Sequence, residues 1–296
     1  MTRTLRIVAL LAALAGPCLL SSQEWHLDVP YVPTKPEVVA KMLEMARVGK
    51  DDVLYDLGCG DGRIVITAAK NFGTRGVGID INPERIKESR ENAEAEKVAD
   101  RVTFLQQDLF QTDFHEASVV TLYLLSSVNL RLRPILFAQL RPGTRVVSHD
   151  FSMDTWKPDD SAVVTTDGMT HDVYFWTIPA NASGAWEWTQ AEGGRDVPSR
   201  LDLEQHFQIL SGTASVGGRN AALLEPKIAG DLITFEVEQE RDGKAGTVAY
   251  SGRLTRDTIE GTRTVRGTGK PAPTAWKAHR RTATMKPIDF SPARGY

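Results

Sequence analysis

The chain has 296 residues, 41% of them hydrophobic, which is ample for one large domain or two modest ones with real cores. Its 35 basic and 38 acidic side chains nearly cancel, so bulk electrostatics recruit no nucleic-acid partner. Two cysteines, Cys18 and Cys59, exclude a disulfide scaffold.

Arg3 and Arg6 precede an apolar run from Ile7 to Leu20, with Gly16-Pro17 near its end and Ser21-Ser22 after it. This is the layout of a secretory signal peptide, and the run is short for a membrane-spanning helix. The expectation is a leader or membrane anchor over 1–22. The chain would then be exported to a periplasm or held at a membrane through that segment. Asp28-Val29-Pro30-Tyr31-Val32-Pro33-Thr34 follows as an extended, proline-punctuated segment. Thr34 is the expected cap of a helix in which Pro36 fills the first turn and Val38, Val39, Met42, Leu43 and Met45 form the apolar stripe.

The rest of the chain is organised around Val53-Leu54-Tyr55-Asp56-Leu57-Gly58-Cys59-Gly60-Asp61-Gly62-Arg63-Ile64. A short apolar run reads as a buried parallel strand, and Ile64, Val65, Ala68 and Ala69 continue in helical rhythm. A strand, glycine turn and helix hold nucleotide-like ligands beyond the carboxyl end of a strand. A dinucleotide fingerprint needs its third glycine at the sixth position, where Arg63 stands, so that ligand is excluded. Gly76 to Pro83 reads as a second strand ending in Asp80, with Ile81 beside it, and a helix runs from Pro83 to about Lys97. An acid at that tip can accept both hydroxyls of a ribose. Val102 to Leu105 is a third strand leading to Asp108-Leu109, and Ala117 to Leu125 a fourth that carries Tyr123. Arg131 to Leu140 reads as helix, and Thr144 to His149 as strand five. Ala162–Thr166 and Asp172–Ile178 read as an antiparallel pair joined through Asp167-Gly168. Cys59 reads as a small residue filling a tight turn. His149-Asp150 are two adjacent residues, too few for a metal, so none is expected.

The G-x-G-x-G run after Asp56 resembles motif I of the class I S-adenosylmethionine-dependent methyltransferases. That resemblance implies a Rossmann-like seven-stranded sheet with helices on both faces. It also implies S-adenosyl-L-methionine as cofactor. Asp56, Gly58, Cys59, Gly60, Asp61 and Gly62 would lie around its methionine part, and Asp80 and Ile81 at the ribose. Asp108 and Leu109 would lie at the adenine, and Tyr123 between cofactor and acceptor. Val29-Pro30-Tyr31-Val32-Pro33, Arg145-Val146-Val147-Ser148 and Thr155-Trp156-Lys157-Pro158 narrow the resemblance further. They are similar to the lysine methyltransferases of the adenine nucleotide translocase and the ATP synthase c-subunit, with their bacterial relatives. This likeness covers Val29 to Ile178 and suggests a protein lysine ε-amine as acceptor. Asp80 stands where those enzymes usually have Glu, and Cys59 where they often have Ser. A pocket of Tyr31, Tyr123 and Trp156 would favour the neutral amine, with tyrosine oxygens or Asp150 taking its proton.

Past a linker at Ala180-Asn181-Ala182-Ser183-Gly184 the composition shifts to short alternating runs separated by Gly or Asp-Gly turns. This reads as an antiparallel meander closing into a small barrel or sandwich, over 181–296, after a methyltransferase domain at 23–180. The Gly-x-Trp-x-Trp opening loosely resembles lipocalin-like β-domains. Trp186, Trp188 and Trp276 read as core plugs. Two other functions remain open from sequence: a small-molecule N- or O-methyltransferase, and a scaffold that keeps the fold without turnover.

Overall fold

The computed structural model describes residues 29–192, 194–241, 244–266 and 272–290. The leader expected over 1–22 lies outside the described residues. The expectation of export or membrane anchoring is corrected: among the described residues no helix is long and apolar enough to cross a membrane.

The first half builds one mixed sheet. Helix α1 (Pro36–Met45) precedes β1 (Val53–Leu57), α2 (Arg63–Phe72), β2 (Arg75–Asp80), α3 (Pro83–Ala95) and β3 (Val102–Gln106). Then come β4 (Val119–Leu122), α4 (Ser126–Gln139), β5 (Arg145–His149), β6 (Asp160–Thr166) and β7 (Met169–Thr177). The strand order is β3-β2-β1-β4-β5-β7-β6. The first five strands run parallel, whereas β7 is antiparallel to β5 and β6 antiparallel to β7. This is the expected seven-stranded methyltransferase sheet. Its direction of growth reverses between β1 and β4, which opens a crevice at the carboxyl ends of those strands.

Alternation along the strands sends side chains to two cores. Leu54, Phe104, Val119, Val147 and Val173 pack under α1, α2 and α3. Leu57, Ile79, Val120, Leu122, Val146 and Trp176 pack under α4. Two local expectations change. Thr34 does not cap α1; Lys35 holds the cap position, and the Thr34 hydroxyl lies 3.3 Å from His149 Nδ1. Helix α4 starts at Ser126 rather than Arg131, because Val128, Leu132 and Leu136 form one buried stripe that draws the earlier turn onto the sheet.

The second half is all strand: β8 (Gly184–Glu192), β9 (Arg195–His206), β10 (Ile209–Val216), β11 (Arg219–Ala221), β12 (Leu223–Ala229), β13 (Leu232–Arg241), β14 (Lys244–Thr255), β15 (Thr258–Val265) and β16 (Thr274–Arg280). Neighbours in sequence pair antiparallel except β11 and β12, since β12 lies beside β10 instead. Pairing of β16 with β8, and of β9 with β10, closes the meander into an eight-stranded barrel with β11 as an added edge hairpin. Its interior is filled by Trp186, Trp188, Phe235, Tyr250 and Trp276. The Trp276 ring lies 5.0–5.7 Å from Tyr250, Phe235 and Trp188, in edge-on geometry. The three tryptophans are core plugs, as their spacing suggested.

The barrel is seated on the sheet through the tip between β9 and β10. Phe207 there has φ +51° and is 1% exposed, enclosed by Phe137, Trp156 and Phe290. Gln208 Nε2 beside it donates to Lys157 O and Asp159 Oδ1.

Candidate active site

The glycine turn after β1 is tied to β2 by its backbone. The N–H groups of Gly58 and Cys59 both donate to Ile79 O, at 2.8 and 2.9 Å. Gly58, Gly60 and Gly62 all have positive φ, at +85°, +53° and +79°. At Gly60 a side chain is excluded by contact as well, since a Cβ there would lie 2.5 Å from Tyr31 Cε2. The Tyr31 ring therefore folds over the turn, and the Arg85 guanidinium covers it 4.5 Å from its centroid. Arg63 binds Asp61 through Nε and Nη2 and donates from Nη1 to Thr34 O. The extended segment 30–34 is thus strapped to the start of α2.

Between strap and sheet lies a cavity of about 240 Å³. The carboxyl ends of β1 and β2 bring Asp56, Gly58, Cys59, Gly60, Asp61, Asp80 and Ile81 to its wall; Asp108 and Leu109 come from beyond β3, and Tyr123 from beyond β4. Tyr31 and Phe151 line it as well. Of the sequence-derived candidates, Gly62 stands one step away as the cap of α2. Two candidates are corrected. Trp156 is fully buried in the apolar core against Trp176, Phe137 and Phe207, because its indole fills the gap between α4 and the barrel tip. Asp150 is absent from the cavity wall. Its Oδ1 accepts from Asp172 N, while Oδ2 lies 3.0 Å from His171 Nδ1.

The acids differ in their surroundings. Asp56 is buried; its Oδ1 accepts from Thr121 Oγ1 at 2.8 Å. Burial pushes its carboxyl up to about 7, outweighing that bond, with Asp80 and Asp61 adding repulsion. Among the described residues no cationic side chain pairs with it. Asp80 braces the turn, its Oδ2 accepting from Gly60 N and its Oδ1 from Asn82 N. It does not cap α3; Asn82 does. Asp108 accepts from Phe110 N and Gln111 Nε2. Burial pushes the Cys59 thiol well up, so it is an inert filler. Burial also raises both Tyr31 and Tyr123, with Asp61 adding to the first and Asp150 to the second, and both phenols stay protonated near neutrality. The Tyr123 ring stacks on His149 with centroids 3.8 Å apart. Burial lowers His149, outweighing the adjacent Asp150, so its imidazole is neutral rather than half of an ion pair. His171, on β7, was not singled out from sequence. Its only early signal was its place in a strand expected to return beside the end of strand five.

A cavity lined by Asp56, Asp80 and Asp108 beside a close-approaching glycine turn suits a ligand carrying an ammonium, ribose hydroxyls and an adenine. Comparison with known proteins agrees. Residues 56–160 match the family model described as the ANTKMT methyltransferase domain. A protein-lysine N-methyltransferase of Saccharolobus islandicus is 50% identical over 151 residues, spanning 51% of this chain and 94% of that protein. The adenine nucleotide translocase lysine N-methyltransferase of Mus musculus is 35% identical over 134 residues, 45% of this chain and 58% of that protein. Among solved structures, an RNA methyltransferase from Salinibacter ruber in complex with S-adenosyl-L-homocysteine is 60% identical, with a TM-score of 0.47 over 49% of this chain and 93% of that one.

Proposed function

Because the chain belongs to the protein-lysine N-methyltransferases built on the ANTKMT methyltransferase domain, we propose that it methylates a lysine ε-amine of a protein substrate. S-adenosylmethionine is the cofactor, and when bound it supplies a methyl group already activated by its sulfonium. The observation that carries the assignment is the convergence of Asp56, Asp80 and Asp108 around a glycine turn in one strapped cavity. Asp56 would hold the cofactor's ammonium, which is the cation this buried carboxyl lacks. Asp80 would hold the ribose hydroxyls, and Asp108 with the Leu109 amide the adenine.

The protein's own task is alignment and exclusion of water. A lysine amine, with a pKa of about 10.4 in solution, must be neutral to react. Tyr31 and Tyr123 keep their protons, so they serve as hydrogen-bonding walls that orient the nitrogen rather than as bases. Asp150 is not on the cavity wall. The amine's proton therefore leaves to solvent as the acceptor enters.

The test is incubation of the chain with methyl-labelled S-adenosylmethionine and a fractionated cell extract, with Asp56→Ala as the blank. A labelled protein band that yields methyl-lysine on hydrolysis supports the assignment. Label confined to small molecules or RNA would overturn the acceptor. Cofactor binding with no label above the blank would overturn turnover itself.

A further inference from the structure

We propose that His149, Asp150 and His171 form a binding site for one divalent transition-metal ion of the zinc type, set behind the wall of the cavity. His149 comes from the end of β5, Asp150 from the turn after it, and His171 from the antiparallel strand β7. Adjacent residues of a regular strand point to opposite faces. Asp150 escapes that rule because its φ is +58°, which turns its side chain back beside that of His149.

The three inward atoms form a nearly equilateral triangle. His149 Nε2 lies 3.0 Å from His171 Nδ1, His171 Nδ1 3.0 Å from Asp150 Oδ2, and His149 Nε2 3.2 Å from the same Oδ2. A tetrahedral ion with bonds of about 2.0–2.1 Å places its ligand atoms roughly 3.3 Å apart. The triangle thus matches one face of such a polyhedron within a few tenths of an ångström.

Proton counting favours an ion over hydrogen bonding alone. With neutral imidazoles at most two inward N–H groups serve the three mutual contacts, so at least one contact is left without a hydrogen bond. A cation satisfies all three at once. Two of the three ligands have outer partners, whereas the buried His171 Nε2 has none among the described residues. Thr34 Oγ1 lies 3.3 Å from His149 Nδ1 and can accept its N–H, which leaves the Nε2 lone pair facing inward. Asp150 Oδ1 accepts from Asp172 N, which aims Oδ2 at the triangle. His149 is 1% exposed, so its ring is held in place by its surroundings.

Two imidazoles and a carboxylate suit zinc and exclude an oxygen-only magnesium or calcium site. The ion would join β5, β7 and, through Thr34, the strap over the cavity. Tyr123, stacked on His149, would be fixed with it.

The test is metal analysis of the full chain after chelator treatment and reloading with zinc or cobalt, in the wild type, His171→Ala and Asp150→Asn. Binding of S-adenosylhomocysteine serves as the folding control. The expected result is about one ion per wild-type chain, with visible absorption from bound cobalt. Both signals should fall at least tenfold in the two variants while ligand binding persists. Asp150→Asn keeps the shape of the side chain and an oxygen to accept from Asp172 N but turns an NH2 donor toward the histidines, which cannot bind an ion, so it removes the ligand without opening a hole. A wild type that takes up no stoichiometric ion, or variants that take up as much as it does, would overturn the proposal.

Discussion

The Asp56 carboxyl offers a test in which stability and binding must move in opposite directions. Its proton is held up to about pH 7 in the folded protein, against 3.8 for an ordinary aspartate. A group whose folded value is raised contributes stability that is complete below the unfolded value and is lost as pH climbs toward the folded one. At about 1.4 kcal/mol per pH unit, the empty protein loses up to roughly 4 kcal/mol between about pH 4 and pH 7 through this side chain. Asp56→Asn removes the charge and keeps an oxygen for the Thr121 hydroxyl. The variant should match the wild type near pH 4 and exceed it above pH 7, by a melting-point difference of several degrees. Denaturant titrations of both proteins across this range, compared as a difference, cancel the other acids.

Cofactor binding should respond the other way. An ammonium seated against Asp56 needs the carboxylate, so wild-type affinity should rise as pH passes through 7 and binding should release a proton below it. Asp56→Asn should bind weakly at every pH, without that slope. Calorimetry in buffers of different ionisation enthalpy reads the proton directly. A variant no more stable than the wild type at about pH 8, or a wild-type affinity flat in pH, would refute the assignment of Asp56.

Gly60→Ala must displace Tyr31 and hold φ +53° with a side chain, so cofactor affinity should fall at least tenfold by titration. Tyr123→Phe should lower kcat about tenfold with little change in cofactor KM, the loss of one orienting hydrogen bond; unchanged turnover would remove Tyr123 from that role. Phe207→Ala empties the seat of the barrel and should cost about 3–5 kcal/mol in chemical unfolding while leaving cofactor affinity intact.

Much of the fold was legible because its signals are local. The apolar run before Asp56, the glycines after it and the acid at Asp80 each specify a strand end or a turn without distant contacts. Helix α4 was less legible. Its moment is carried by only Val128, Leu132 and Leu136, and Pro134 sits inside it, so its first turn is settled by burial against the sheet. The barrel could be read as a meander, but its closure could not: pairing of β16 with β8 joins the two ends of the meander and is decided by which edges meet once the aromatic core has formed.

Trp156 and His171 show where reading from sequence stops. Trp156 follows β5 closely in sequence and belongs to a segment that carries the family resemblance, which made it a natural candidate for the pocket wall. Its actual partner is Phe207, some fifty positions on and contributed by the barrel, and the contact makes it a core residue joining the two halves. Asp150 and His171 miss in the opposite sense. Period-two alternation separates Asp150 from His149 on paper, and only the left-handed backbone at Asp150 undoes that separation. His171 then arrives because β7 runs antiparallel to β5 and sets His149 opposite Val173, two residues along. A site assembled from a backbone kink and an antiparallel register leaves no spacing motif, whereas Asp56, Asp80 and Asp108 do, because each lies at or just past the end of its own strand.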